Sequence, residues 1–147
     1  MSQVAGEPVA DIVVRSSRLH GTRIDGGHVL SAMDEVPVLA VAAAFAEGET
    51  EIRDASELRV KESDRIAATV SQLAALGVSI SEHEDGMTVE GGRGVHGGDV
   101  QSFGDHRLAM ALAAAALAGS GDVRIAGAEA VSVSYPAFWQ HLEQITE

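Results

Sequence analysis

The 147-residue sequence predicts an α/β fold built from repeated strand–helix units with the helices on the inside. Short β-branched stretches alternate with longer helical ones along the chain. The order also repeats. Displaced by 73 residues, AAFAEGETEIRDA (43–55) lies on ALAGSGDVRIAGA (116–128), with Gly48 on Gly121 and Ile52 on Ile125. The same register sets Val60 on Val133, and the helix after Ser63 on the helix after Pro136. Finally, VPVLAVAAAFA and LAMALAAAALA are apolar on nearly every face, a pattern that suits helices enclosed on all sides. A two-layer α/β sandwich is the alternative arrangement.

Taken in order, ADIVVRSS and TRIDGGHVL read as short strands, with Gly26-Gly27 as a turn. A helix from about Pro37 to Glu47 has its proline in the first turn and ends at Gly48. ETEIRDA is a short strand. The next helix spans about Ser63 to Leu76, with Ile66, Val70, Leu73 and Leu76 as its apolar stripe and Gly77 as C-cap. VSISEHEDGMTVEG has the alternation of a hairpin, turning at Glu84-Asp85-Gly86. RGVHGGD is a loop and DVQSF a strand. A helix over His106 to Ala118, the strand DVRIAGA and a last helix from Pro136 to about Ile145 complete the chain. The string from Gly92 to Gly97 fits G-x-G-x-x-G, but a strand rather than a helix follows it, so it is a flexible loop and not a dinucleotide fingerprint.

Composition narrows the function. With 22 acidic and 10 basic residues the formal charge is −12, which opposes nucleic acid or anionic membrane as partners. No cysteine is present, so disulfides and thiolate metal sites are excluded, and the histidines show no ligand spacing. The apolar runs are too short to span a bilayer, and MSQVAGEPVAD has no signal-peptide pattern; a cytoplasmic location is expected.

Against that acidic background, LRVKESDR (58–65) gathers Arg59, Lys61 and Arg65 around Glu62, and Lys61 is the only lysine in the chain. Arg65 and Arg107 each fall in the first turn of a helix, where a cation opposes the helix dipole by roughly 0.3–1 kcal/mol when exposed. A bound anion reverses the sign of that cost, because free N–H groups and a guanidinium fork converge on it. The alternative is that Asp64 and Asp105 neutralise their arginine neighbours on a solvated surface. Asp34 and Glu35 precede the first apolar helix; Asp34 reads either as a plain N-cap or, with Glu62, as one of a pair of carboxylates for acid–base work. His106, beside Arg107, can titrate near neutrality.

LRVKESDR and GDHRLAM, together with DEVPVLAVAAAFAEG and SVSYPAFWQHL, resemble the 5-enolpyruvylshikimate-3-phosphate synthases in content and order. The resemblance runs from about Asp11 to the end of the chain. It implies the enolpyruvyl transferase fold, an inside-out α/β barrel of βαβαββ units, three to a domain in two domains. Residues 1–147 would be one partial C-terminal domain, with units at 28–92 and 99–147 and the end of a preceding unit at 9–27. The implied reaction transfers enolpyruvate from phosphoenolpyruvate to the 5-hydroxyl of shikimate 3-phosphate, a carboxyvinyl transfer (EC 2.5.1.19). Asp34 would contact the shikimate ring and take the hydroxyl proton, and Glu62 would handle the proton at the methylene carbon. Lys61, counted with these two as catalytic, would join Arg65, His106 and Arg107 in holding the phosphoenolpyruvate anion. No metal or organic cofactor is implied.

The first domain's motifs are missing, so the implied partner is the N-terminal domain, and the chain alone is expected to be inactive. Where many family members carry a lysine, this chain has Val133. A non-catalytic module for small anions and one part of a split synthase are the alternatives. The paired carboxylates, Asp34 and Glu62, count against the first.

Overall fold

The computed structural model describes residues 2–4 and 7–146. A hairpin of β1 (Ser2–Val4) and β2 (Glu7–Val9) opens the chain. After an irregular stretch come β3 (Arg23–Ile24) and α1 (Gly26–Ser31). The first unit continues with α2 (Val36–Phe45), β4 (Glu49–Ile52), a 3₁₀ segment (Ser56–Val60), α3 (Arg65–Ala75) and the hairpin β5 (Ser79–His83) and β6 (Gly86–Glu90). The second comprises β7 (His96–Gln101), α4 (His106–Ala118), β8 (Ser120–Ala126), a 3₁₀ segment (Ala128–Val133) and α5 (Phe138–Thr146).

The 73-residue register holds in three dimensions. Shifted by it, Arg65 at the start of α3 lands on Phe138 at the start of α5, and the two 3₁₀ segments overlap. Gly48 and Gly121 share left-handed backbone, with φ of 91° and 82°. A strand–helix–parallel strand arrangement occurs twice: β3 pairs in parallel with β4 across α2, and β7 with β8 across α4. The first unit then adds its hairpin antiparallel to β4, giving the strand order β3-β4-β6-β5; β7 and β8 form a separate two-stranded sheet.

Helix α2 packs against α4, α3, β4 and β6, while α4 packs against β7, β8 and the second 3₁₀ segment. One hydrophobic cluster takes in Val36, Ala40, Ile66, Leu73, Leu108 and Leu112 from all three helices, together with Ile52 and Val89 from the sheet. Helices α2 and α4 are therefore interior, as their all-round apolar character requires, while α3 buries one face. No described helix is long and apolar enough to cross a membrane.

The hairpin turns as expected, with His83 opposite Gly86, but Gly86 is already strand. A Cβ there would lie 1.9 Å from the carbonyl oxygen of Ile52, so glycine is what lets β6 approach β4. Helix α3 ends in a Schellman motif: Gly77 N–H donates to Ala74 O at 3.0 Å and Val78 N–H to Leu73 O at 3.0 Å. The glycine string after β6 is a loop with a function of its own. Gly92 and Gly94 both donate N–H to Ala44 O at 3.2 Å, satisfying a carbonyl at the C-terminal end of α2.

Three elements differ from the sequence reading. ADIVVRSS forms no strand; Ile12, Val13 and Val14 are 86%, 75% and 87% exposed, and no described strand pairs with them, so β-propensity alone does not order them. Gly26-Gly27 opens a helix rather than a turn, because Asp54 Oδ2 accepts from Gly26 N–H at 2.9 Å and Val29 is buried beneath it. Strand β7 begins at His96, inside the expected loop. Parallel pairing with β8 overrides the low strand propensity of Gly97-Gly98, and a Cβ on Gly97 would sit 2.6 Å from Asp122 O.

Gly77, at φ +84°, gives a direct test of the Schellman cap. Gly77→Ala should cost about 1–2 kcal/mol in urea denaturation, whereas Gly27→Ala, in open space with ordinary backbone, should be neutral or stabilising.

Candidate functional site

The N-termini of α2, α3 and α4 meet at one place, and side chains from each make the junction. Asp105, the N-cap of α4, accepts from the N–H of Arg107 at 2.9 Å and of Leu108 at 3.4 Å. Its other oxygen accepts from Arg65 Nε at 2.6 Å and Ser63 Oγ at 3.1 Å. The Arg65 side chain is 1% exposed and that of Asp105 is fully buried. The remaining two guanidinium nitrogens point at the cleft: Nη1 donates to Asp34 Oδ1 at 2.9 Å, and Nη2 to Glu62 Oε2 at 2.6 Å. Asp34 in turn bridges to Arg107, its Oδ2 lying 3.0 Å from Nη2. Glu35 stands 3.6 Å from Arg107 Nη1.

Local sequence explains how each group arrives. Asp34 and Glu35 lie in a 3₁₀ turn (Met33–Glu35) leading into α2. Asp34 caps nothing with its side chain, so the pairing with two arginines replaces the plain N-cap reading. Asp64 is the cap of α3, accepting from Ala67 N–H at 3.0 Å, and this sets Arg65 at the first helical position. Asp105 is delivered by a tight turn in which Phe103 and Gly104 are both left-handed, with φ of 53° and 76°. For a phenylalanine this conformation costs roughly 1–3 kcal/mol. Ser102 holds the turn: its buried hydroxyl donates to Gly127 O at 2.8 Å and accepts from Gly104 N–H at 3.1 Å.

Of the expected site residues, Asp34, Glu62, Arg65 and Arg107 form one connected network. Lys61 sits next to Glu62, exposed and without a hydrogen-bond or ion-pair partner among the described residues. His106, half-buried at the start of α4, is likewise unpartnered among them. Arg59 turns away from its neighbours. It binds Asp64 and Glu82 at 2.8 and 2.9 Å and the carbonyls of His83 and Glu84, tying the 3₁₀ segment to the β5–β6 hairpin. No cluster of His, Asp and Glu among the described residues could hold a metal ion. Asp105 is the residue that sequence reasoning undervalued. Its cap position was legible, but its burial against an arginine from another helix was not. The reading of Asp105 and Arg107 as a solvated, self-neutralising pair fails for that reason.

Burial pushes the Asp105 carboxyl up. The Arg65 hydrogen bond and charge, with the N–H groups of Leu108 and Arg107, outweigh it and hold the group below the usual carboxylate range. Burial likewise opposes the charge on Arg65, and Asp105, Glu62 and Asp34 together keep it above its ordinary value.

The domain is an α/β fold with its helices inside, and three helix N-termini gather over arginines and paired carboxylates. A sequence model of the EPSP synthases (3-phosphoshikimate 1-carboxyvinyltransferases) matches residues 2–142, and the chain belongs to that family. It is 57% identical to the 3-phosphoshikimate 1-carboxyvinyltransferase of Roseiflexus castenholzii over 97% of its own length and 33% of the relative's. Against the same enzyme of Acaryochloris marina it is 55% identical over 97% of the chain and 32% of that relative. The EPSP synthase of Acinetobacter baumannii superposes with a TM-score of 0.81 at 38% identity, covering 86% of this chain and 30% of that one. The fold is thus that of the enolpyruvyl transferases. The chain spans about a third of the length of the curated relatives it matches.

Asn at position 105 keeps the cap oxygen but removes the one fully buried counter-charge of Arg65, leaving the part-exposed Asp34 and Glu62 to oppose it. Asp105→Asn should cost roughly 3–5 kcal/mol in denaturant unfolding. Because folded Asp105 titrates below its unfolded value, its stabilisation is complete above about pH 4 and is lost as pH falls through the lower folded value. The wild-type chain should lose stability across that acid window more steeply than Asp105→Asn, as thermal melts between pH 2 and 6 would record.

Proposed function

We propose that the chain supplies one half of an active site for transferring the enolpyruvyl group from phosphoenolpyruvate to the 5-hydroxyl of shikimate 3-phosphate. The observation that carries this is the junction of three helix N-termini, where Asp34 and Glu62 share Arg65 and Asp34 also meets Arg107. In this reading residues 28–92 and 99–147 are two βαβαββ-type units of the C-terminal domain, and 9–27 ends a preceding one. The complementary N-terminal domain is the partner, and the chain works in the cytoplasm.

The addition step forms a bond between the 5-oxygen and C2 of phosphoenolpyruvate, while a proton joins C3 and turns the methylene into a methyl group. Asp34, held by the guanidinium groups of Arg65 and Arg107, accepts the hydroxyl proton. Glu62 delivers the C3 proton. In the elimination step Glu62 removes a methyl proton, the C2–O bond to phosphate breaks, and the leaving phosphate carries the electron pair away. Arg107 and Lys61 neutralise the ligand's charge, assisted by the positive ends of α2, α3 and α4. Arg65 has its outer nitrogens on Asp34 and Glu62, so it holds both carboxylates in place and meets the substrate anion when one of them yields. His106 lies beside this anion site. No step calls for a metal or organic cofactor.

Half a site binds weakly and turns nothing over, because the groups that grip shikimate 3-phosphate from the other side come from the partner domain. Calorimetric titration with phosphoenolpyruvate should give weak binding that Arg107→Ala weakens at least tenfold, with no phosphate released by the chain alone. Adding the N-terminal domain as a separate polypeptide should restore phosphate release. Absence of phosphoenolpyruvate binding, with the chain folded by circular dichroism, would remove the half-site reading.

A further inference from the structure

Two residues other than glycine have left-handed backbone among the described residues. One is Phe103, in the turn that delivers Asp105. The other is Asp54, with φ of 59°, two positions beyond the end of β4. The β5–β6 hairpin holds Asp54 in this conformation through Asp85. Asp85 Oδ2 accepts from Asp54 N–H at 3.0 Å, and Asp85 O from Ala55 N–H at 2.8 Å. Asp85 Oδ1 accepts from Arg53 Nη1 at 3.0 Å. The Asp54 N–H and the Arg53 guanidinium together hold the Asp85 carboxyl below the usual carboxylate range. Aspartate tolerates left-handed backbone better than most residues, because its short side chain can bond locally. Here that side chain reaches back along the chain instead. Its Oδ2 accepts from the N–H of Gly26, the first residue of α1, at 2.9 Å.

Helix α1 has little else to fix its start. It is six residues long and opens with two glycines, too short and too weak to hold by itself in water. Asp25, at its N-cap, makes no side-chain cap, and Arg23 Nε takes its carboxylate at 2.6 Å. A Cβ on Gly26 or Gly27 would meet nothing within 4 Å, so packing does not locate this end. The far end is different. Val29 and Met33 are buried, and Ala32 N–H donates to the carbonyls of His28 and Val29 at 3.1 Å. Glu35 N–H then donates to Ala32 O at 3.0 Å, so α1 runs without slack into the turn that carries Asp34.

We propose that Asp54 is a positioning residue for Asp34: by fixing where α1 starts, it sets where Asp34 meets Arg65 and Arg107. Asp34 must bring one oxygen to 2.9 Å from Arg65 Nη1 and the other to 3.0 Å from Arg107 Nη2. A helix loose at its first residue swings about the buried Val29 and carries the Asp34 turn with it. The strained turn at Asp54 is what aims a carboxylate at Gly26 and prevents this. That Asp34 takes a proton rests on the reaction proposed above, whereas its placement by Asp54 does not.

Exchange of the Arg65 guanidinium protons with water, followed by heteronuclear NMR of the full 147-residue chain, tests the placement. Asp54→Gly removes the carboxylate and puts a residue at ease in left-handed backbone, so the chain should keep its fold. The Arg65 Nη1 protons, held by Asp34, should then exchange about tenfold faster, while the Nε proton, held by Asp105, stays as in the wild type. General loosening would speed both. Asp54→Asn keeps an oxygen for Gly26 N–H and should restore slow exchange at Nη1. Gly27 N–H has no acceptor among the described residues. In the wild type the Gly26 amide should therefore exchange about tenfold more slowly than that of Gly27, after correction for intrinsic rates. Unchanged Nη1 exchange in Asp54→Gly overturns the proposal, and so does acceleration of Nη1 and Nε together. An asparagine variant that behaves as the glycine one, or a Gly26 amide as open as that of Gly27, overturns it as well. Failure of the wild-type chain to bind phosphoenolpyruvate would remove the half-site reading and leave these results standing.

Discussion

A buried arginine organises this protein. Arg65 is inserted where α2, α3 and α4 begin, and Asp105 compensates its charge at a depth where an unpaired guanidinium would cost several kcal/mol. That one pair joins α3 to α4 through side chains that also start those helices, since Arg65 is the first residue of α3 and Asp105 the cap of α4. The outer nitrogens of the same guanidinium fix Asp34 and Glu62, so the positions of both carboxylates follow from the packing of the helices. An apolar group at position 65 could fill the space, but it could not aim two carboxylates at one cleft.

The helix directions add to this arrangement. All three helices present their N-termini to the junction, so partial positive charge from the backbone supports the guanidinium groups. This is how a chain with a formal charge of −12 can still carry the proposed site for an anion. Some of the acidic groups elsewhere are engaged in ties of their own. Glu51, Arg53 and Asp85 link β4 to the hairpin turn, and Arg59 links the 3₁₀ segment to the same hairpin through Asp64 and Glu82.

Much of this was legible in the sequence where local rules and the global fold agree. The 73-residue repeat matches the recurring order of strand, helix and 3₁₀ segment, the all-round apolar helices lie in the interior, and Gly77 is a C-cap in Schellman geometry. His106 to Ala118 is the helix that its pattern defines. The failures share one cause, which is that a distant partner decides the local outcome. ADIVVRSS has the composition of a strand and no strand beside it. Gly26-Gly27 has the composition of a turn, yet Asp54, just beyond the end of β4, anchors it as a helix. The candidate site was readable as a list of residue types, because arginine in a first turn conflicts with the dipole and so calls for an explanation. Its internal geometry was not, since Asp105 meets Arg65 across 40 positions of sequence.

Lys61 has a practical meaning beyond its charge. It is the chain's one lysine, it stands exposed beside Glu62, and no described group holds its ammonium. Amine-directed reagents therefore have a single side-chain target in this protein, and that target lies at the proposed half-site. A fluorophore, a spin label or a surface tether attached through lysine would report on this one location without any engineered residue.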